Sequence, residues 1–323
     1  MTPLEVIDTY ANRALSERTS RAYAADWRDF KEWCQTQNVE ALPATPETLA
    51  RYLADRAGTL RVSSLERRLI AICRQQRQAG HHIDTRHPKL RAVWAGIRRT
   101  HGTAKHGKAP LLVVDIRDMV TVLPEGLLGT RDRALLLVGF AGAFRRSELV
   151  GLDFAAPAGG SGFVEITREG LIVTLTRSKT DQEGHSRRVG IPYGANPLTC
   201  PVRALQDWRL AAGVSVGPVF RPINKGGRIS SSRLSDKAVA LVVKRTAVAV
   251  AKARGLDDAS AERWAAQFSG HSLRAGHVTA ATAAGVDERI IMKQTGHVRI
   301  ETLRTYIRMG SLWLENSAAR LGL

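Results

Sequence analysis

The sequence predicts a mainly α chain in two domains: a helical N-terminal domain and a mixed α/β second domain with a small antiparallel sheet. Three observations predict it. The 323 residues suffice for two domains of roughly 150 residues, each long enough to bury its own core. In the first hundred positions apolar residues recur at steps of three and four, the helical period. Leu171-Ile-Val-Thr-Leu-Thr176 is dense in β-branched residues over a strand's length, with a polar turn and a second short run behind it.

The elements follow in order. Tyr23, Trp27, Phe30 and Cys34 share one face of a helix between Arg18 and Gln37. Thr45-Pro46 supplies a cap and a first-turn proline for the next helix, which Gly58 closes. Ser63-Ser64 is the expected cap of another. It turns Leu65, Leu69, Ile72 and Gln76 inward, with Arg67, Arg68, Arg74 and Arg77 largely off that face, and Gly80 ends it. Pro88 to Arg99 forms a further helix on Leu90, Val93, Trp94 and Ile97. His101 to Pro110 is polar, basic and without apolar period. It therefore reads as a linker over 101–110 between domains at 1–100 and 111–323.

In the second domain Leu127–Phe144 is apolar enough for a buried helix. Leu171–Thr176 and Arg188–Ile191 form a hairpin around the polar turn Ser178–Ser186. Ser230–Arg254 reads as one long helix with a basic face. His271–Arg308 reads as three short helices broken near Gly285 and Gly296. An amphipathic tail helix is expected over 311–323, behind a Gly310 hinge.

Charge narrows the function. With 48 Lys+Arg against 30 Asp+Glu, the net charge is +18. Residues 1–107 carry 18 basic and 11 acidic side chains, and residues 108–323 carry 30 and 19. Both domains are basic, so the expected partner is an extended polyanion that touches both. No apolar run approaches the ~18 residues of a membrane span. Met1–Asp8 has no basic-then-apolar leader. Cys34, Cys73 and Cys200 are far apart and odd in number, as expected of reduced cytosolic thiols.

Several motifs fail on inspection. Gly102-Thr-Ala-Lys-His-Gly-Lys108-Ala109 carries alanine where a phosphate-binding loop needs a magnesium-binding hydroxyl. Gly270-His-Ser272-Leu-Arg274 lacks the second glycine of a hydrolase elbow. His271 and His277, six apart, make a poor zinc pair. No acidic cluster of the two-metal kind is present. Neither a metal nor a cofactor is expected.

Four boxes remain. They are Phe144-Arg145-Arg146-Ser147-Glu148-Leu149, Arg177-Ser-Lys179-Thr180, His271-Ser-Leu-Arg274, and Gly296-His297 with Tyr306 nine residues on. Together they form a set for phosphoryl transfer without a metal. Two guanidiniums can clamp the non-bridging oxygens of a phosphodiester with forked hydrogen bonds. A phenol can attack phosphorus and remain attached. A lysine at a hairpin tip can protonate the leaving oxygen, and an imidazole can take the phenol proton.

At these residues the chain resembles the tyrosine recombinases of the phage integrase family, most closely those of Cre type, over about Arg18 to Arg308. The resemblance implies Arg145, Lys179, His271, Arg274 and His297 as catalytic residues, Tyr306 as nucleophile and Glu148 as a supporting acid. Arg146 stands beside Arg145, and the spacing to Glu148 selects Arg145. It further implies a SAM-like core-binding domain and a catalytic domain closing as a C-shaped clamp on double-stranded DNA. The implied activity is site-specific cleavage and rejoining through a covalent 3′-phosphotyrosine, without metal or ATP. The implied assembly is a homotetramer on two DNA sites, monomeric when free, with the 311–323 tail either donated to a neighbour, as the resemblance implies, or packed on its own domain. The implied setting is cytoplasmic, in a prokaryote, at the nucleoid.

Arg61, Arg67 and Arg68 in one domain, and Lys237, Lys244 and Arg245 in the other, are expected to touch DNA. Two other readings of the same residues stay open: a non-catalytic DNA-binding regulator on this scaffold, and a type IB topoisomerase that relaxes DNA without a defined site.

Overall fold

The structure, a computed structural model, describes residues 15–103, 107–155, 159–176, 186–301, 303 and 321. The chain divides into two compact units, Met1–His106 and Gly107–Leu323.

The described part of the first unit holds α1 (Glu17–Thr36), α2 (Pro46–Arg56), α3 (Val62–Gln78) and α4 (Pro88–His101). Helix α1 starts where the Ser16 hydroxyl accepts from the Thr19 N–H. The Thr45 side chain likewise accepts from the Thr48 N–H, with Pro46 in the first turn of α2. Helix α3 starts earlier than the serine pair suggests. Its cap is Arg61, which makes no side-chain cap bond, so Ser63 and Ser64 lie inside the first turn.

Phe30, Leu49, Tyr52, Leu53, Leu65 and Ile72 are fully buried among these helices. The Tyr52 ring meets Phe30 and Trp33 edge-on, with centroids 5.0 and 5.3 Å apart. Gln76 is also fully buried. Its amide donates to the Ala41 carbonyl (2.6 Å) and accepts from the Ala44 N–H (3.1 Å), fastening α3 to the loop ahead of α2.

The second unit begins with α5 (Val113–Thr121), α6 (Leu127–Ala141) and α7 (Arg146–Val150). Strands β1 (Leu152–Phe154), β2 (Gly162–Ile166), β3 (Gly170–Leu175) and β4 (Arg187–Pro192) follow, then α8 (Pro201–Ala212) and β5 (Gly217–Pro218). Helices α9 (Asp236–Ala253), α10 (Asp258–Ala265), α11 (Ser272–Ala283) and α12 (Glu288–Thr295) complete the described part.

The second half of helix α6 is apolar all round, with Ala134 to Val138 buried in succession, as befits a helix with no solvent face. It ends three residues before Phe144, where Gly142 caps it and Ala143 takes a left-handed φ of 50°.

The sheet runs β4-β3-β2-β1-β5. The β3–β4 hairpin is antiparallel, as expected, and pairs Val173 with Val189 and Leu171 with Ile191. The sheet as a whole is mixed rather than antiparallel, because β1 and β2 pair in parallel. All three β1 residues are buried, so β1 lacks the alternation that marks a half-exposed strand.

Two other boundaries move. The expected helix from Ser230 begins only at Asp236, under a Ser235 cap. Before it, Ser230 and Leu234 donate backbone bonds to the carbonyls of Pro222 (2.9 Å) and Phe220 (2.8 Å), which tie the segment to 220–222. The second half of the expected linker is stitched to the second unit. The Ala109 and Leu111 N–H groups donate to the Gln267 and Ser272 carbonyls (2.9 and 3.1 Å), and Lys108 Nζ donates to the Ala266 carbonyl (2.6 Å).

The hairpin turn that carries Lys179 lies outside the described residues. So do Tyr306 and nearly all of the expected 311–323 tail. No helix among the described residues is long and apolar enough to cross a membrane.

Candidate active site

The site grows from the end of α6. A Cβ on Gly142 would stand 2.0 Å from the buried Phe144 ring, so glycine permits the tight bend there. The bend delivers Arg145 to the cap position of α7. Glu148, only 2% exposed, reaches back from the first turn. It accepts from the Arg145 N–H (2.9 Å) and from Arg145 Nη1 (2.6 Å). One carboxylate thus caps the helix and aims the guanidinium. The neighbouring Arg146 goes elsewhere: it pairs with Asp236 (3.6 Å) and its stem covers Gly270, where a Cβ would come within 2.4 Å.

Arg274, from the first turn of α11, is 1% exposed. Its Nη1 donates to the carbonyl of Ala143 (2.7 Å), the left-handed residue of the bend. Its Nη2 lies 3.1 Å from His297 Nε2. His297 reaches this point because Gly296 ends α12 in the left-handed region, at φ 68°. The other ring nitrogen, Nδ1, lies 2.8 Å from the Thr295 hydroxyl. His271 caps α11 and keeps an exposed edge.

Arg187, which opens β4, joins the cluster although no sequence motif marks it. Its Nη1 donates to the Gln294 carbonyl (2.5 Å), and its Nη2 stands 3.6 Å from Glu148 Oε2. Gln294 in turn donates to the Ala141 carbonyl (3.0 Å). The strand returning from the Lys179 segment, the end of α12 and the end of α6 are therefore tied at one point. The available signal is an arginine heading a strand whose inward residues are Val189 and Ile191. That pattern alone does not separate it from a solvated charge.

The cluster is positive. It brings Arg145, Arg187, Arg274, His271 and His297 together, with Glu148 as the acid among them. Burial, reinforced by Arg274, Arg145, His271 and Arg187, pushes His297 down to about 3. Burial also lowers His271, again helped by Arg274, Arg145 and Arg146. Burial lowers Arg187 too, although Glu148 opposes it. His297 is therefore neutral at physiological pH, and a site so charged favours an anion.

An unfolded His297 takes up its proton near the ordinary value of ~6.5, whereas the folded one resists until about 3. Its contribution to stability is therefore complete above ~6.5 and is lost as pH falls toward 3. Melting temperatures of His297→Gln should fall less steeply than wild type across that window. Parallel slopes would refute the assignment.

Six residues were expected on DNA. Arg61, Lys237 and Lys244 are exposed. Arg67, also exposed, forks onto Asp26 (2.7 and 2.9 Å). Arg68 is mostly buried and bonds Asp29 and Tyr52, which makes it glue between α1, α2 and α3. Arg245 pairs with the buried Asp132, which also takes Arg131. His277 packs its ring against Phe140, centroids 6.0 Å apart.

Residues 111–311 match the Phage integrase family, and residues 8–78 match its N-terminal SAM-like domain. The chain belongs to the phage integrase family. It is similar to an integrase/recombinase xerD homolog of Selenomonas ruminantium, at 37% identity over 313 residues, covering 96% of this chain and 86% of that one. Tyrosine recombinase XerC of Xanthomonas axonopodis pv. citri is 25% identical over 315 residues, covering 92% and 88%.

Among solved structures, the fold of this phage integrase family member is like that of XerH site-specific recombinase in a post-cleavage complex with palindromic difH substrate. That match has a TM-score of 0.64 at 15% identity and covers 94% of this chain and 79% of that one. A lambda integrase dimer bound to a COC′ core site gives a TM-score of 0.57 at 13% identity and covers 96% and 78%. The chain is a tyrosine recombinase, and the curated relatives named here are Xer proteins, not the Cre type expected from the motifs.

Proposed function

We propose that this tyrosine recombinase cleaves and rejoins duplex DNA at a defined site through a covalent 3′-phosphotyrosine on Tyr306, without metal or ATP. The observation that carries the reading is the convergence of Arg145, His271, Arg274 and His297 on one cationic cluster beyond the end of α6. These residues come from three boxes spread over 153 positions of sequence, and surface cations have no reason to meet in this way.

Each residue then has a role. Arg145 and Arg274, held by Glu148 and the Ala143 carbonyl, hydrogen-bond the non-bridging oxygens as charge develops on them. His271, its pKa lowered by partial desolvation and by the nearby Arg274, Arg145 and Arg146, takes the phenol proton as Tyr306 attacks. Lys179 protonates the departing 5′-oxygen. His297 braces Arg274 beside the phosphate. The O–P bond to the 5′ side breaks as the tyrosyl O–P bond forms, so its energy is stored for rejoining.

The rest of the reading follows from this. Both domains, expected at 1–100 and 111–323, bind duplex DNA. Arg61, Lys237 and Lys244 bind phosphates, while Arg67, Arg68 and Arg245 contribute only if their ion pairs open. Two sites are held by a homotetramer assembled from monomers, with the 311–323 tail reaching a neighbour. The setting is the prokaryotic cytoplasm, at the nucleoid.

The test is a suicide substrate built from the inverted repeats that flank the coding sequence, nicked so that cleavage traps protein on DNA. A covalent adduct on this DNA and none on scrambled DNA is expected. Binding without adduct would indicate a regulator. Relaxation of an arbitrary supercoiled plasmid would indicate a topoisomerase.

A further inference from the structure

Thr295 stands two residues before His297 and is completely buried. Its hydroxyl has one hydrogen to give. That hydrogen goes to the Ile291 carbonyl one turn back (2.7 Å). Toward His297 Nδ1, 2.8 Å away, the oxygen can then only accept, so Nδ1 carries the ring proton.

The opposite side of the ring gives the same answer independently. His297 Nε2 faces Arg274 Nη2 at 3.1 Å. A guanidinium has no acceptor, so Nε2 must present its lone pair. Neutral His297 is thus fixed as the Nδ1–H tautomer, clamped between a hydroxyl that accepts and a cation that donates.

We propose that Thr295 is a positioning residue that sets the His297 tautomer and through it the aim of Arg274. Arg274 is held at two points, the Ala143 carbonyl by Nη1 and His297 by Nη2. The second hold exists only while Nε2 is unprotonated. If the ring proton moved to Nε2, an N–H would face the guanidinium and Arg274 would swing from that position.

The role deepens the recombinase reading and rests on it for its catalytic consequence; the tautomer itself stands on the free protein. Arg187 reinforces the geometry from the other side. A Cβ on Gly296 would lie 2.9 Å from the Arg187 guanidinium, so a larger residue between Thr295 and His297 would displace the corner.

The test has two arms on the full chain. In the first, histidine is labelled with 15N and the His297 imidazole is followed by NMR, assigned by its loss in His297→Gln. Wild type is expected to show Nδ1 protonated and Nε2 bare. Thr295→Val, nearly the same shape without the hydroxyl, should populate the Nε2–H form, because Nδ1–H loses its acceptor. Thr295→Ser should restore the wild-type signature. An Nε2–H signature in wild type, or a Thr295→Val spectrum identical to wild type, would overturn the proposal.

In the second arm, covalent adduct formation on a suicide substrate should fall about five- to tenfold in Thr295→Val, in line with one lost hydrogen bond. DNA binding should hold, and Thr295→Ser should recover the rate. Unchanged adduct formation in Thr295→Val would remove the link to Arg274. If wild type itself formed no adduct, the recombinase reading would fail while the NMR arm still decided the tautomer.

Discussion

Tyr306→Phe is expected to bind its DNA site with unchanged affinity and to form no covalent adduct at all. Phenylalanine keeps the ring and its packing but has no oxygen to attack phosphorus, and the remaining groups only polarise the phosphate. The measurement is a gel-shift titration beside an adduct assay on the same suicide substrate. The expected pattern is equal binding and complete loss of the slower-migrating protein–DNA species. Persistent adduct would mean that another residue attacks. Lost binding would mean that Tyr306 serves the architecture instead.

Arg274→Lys is the second large effect. Arg274 is 1% exposed and bonds Ala143 and His297 with two different nitrogens. A lysine ammonium is a single point on a flexible stem and cannot serve two holds and a phosphate together. Loss of one preorganised donor at a developing oxyanion costs roughly 10²–10³ in rate. Cleavage should fall by at least that factor even though the positive charge is kept. Binding should change by far less, because most of the affinity comes from cations along the duplex. Near-normal cleavage by the lysine variant would show that charge alone matters at this position.

Much of this site is legible in the sequence. The three-residue step from Arg145 to Glu148 is that of a capping turn, and the chain builds that turn with two hydrogen bonds. His271 and Arg274 share a helix for the same reason of spacing. The apolar run of α6 announces a helix without a wet face.

The features that escape the sequence do so for physical causes. Strand β1 is three residues long and wholly buried, so neither length nor alternation marks it, and its parallel pairing with β2 makes the sheet mixed. Arg68 groups with its basic neighbours as a DNA contact, yet it stands three residues after Leu65 and four before Ile72, on the face those residues bury. Asp26 and Asp29, three apart on α1, supply the facing acids. The signal is present but spread across two helices that only tertiary packing brings together. Thr295 and Arg187 matter through contacts with residues 2 and 107 positions away, and no periodicity carries such information.

The proposed chemistry depends on a covalent bond between Tyr306 and DNA. Adduct trapped on the suicide substrate, digested with protease and nuclease and sequenced by mass spectrometry, tests that bond directly. The expected result is one modified peptide containing Tyr306, its phenol esterified to a 3′-phosphate nucleotide. A nucleotide on any other side chain, or a linkage to the 5′ end, would contradict it.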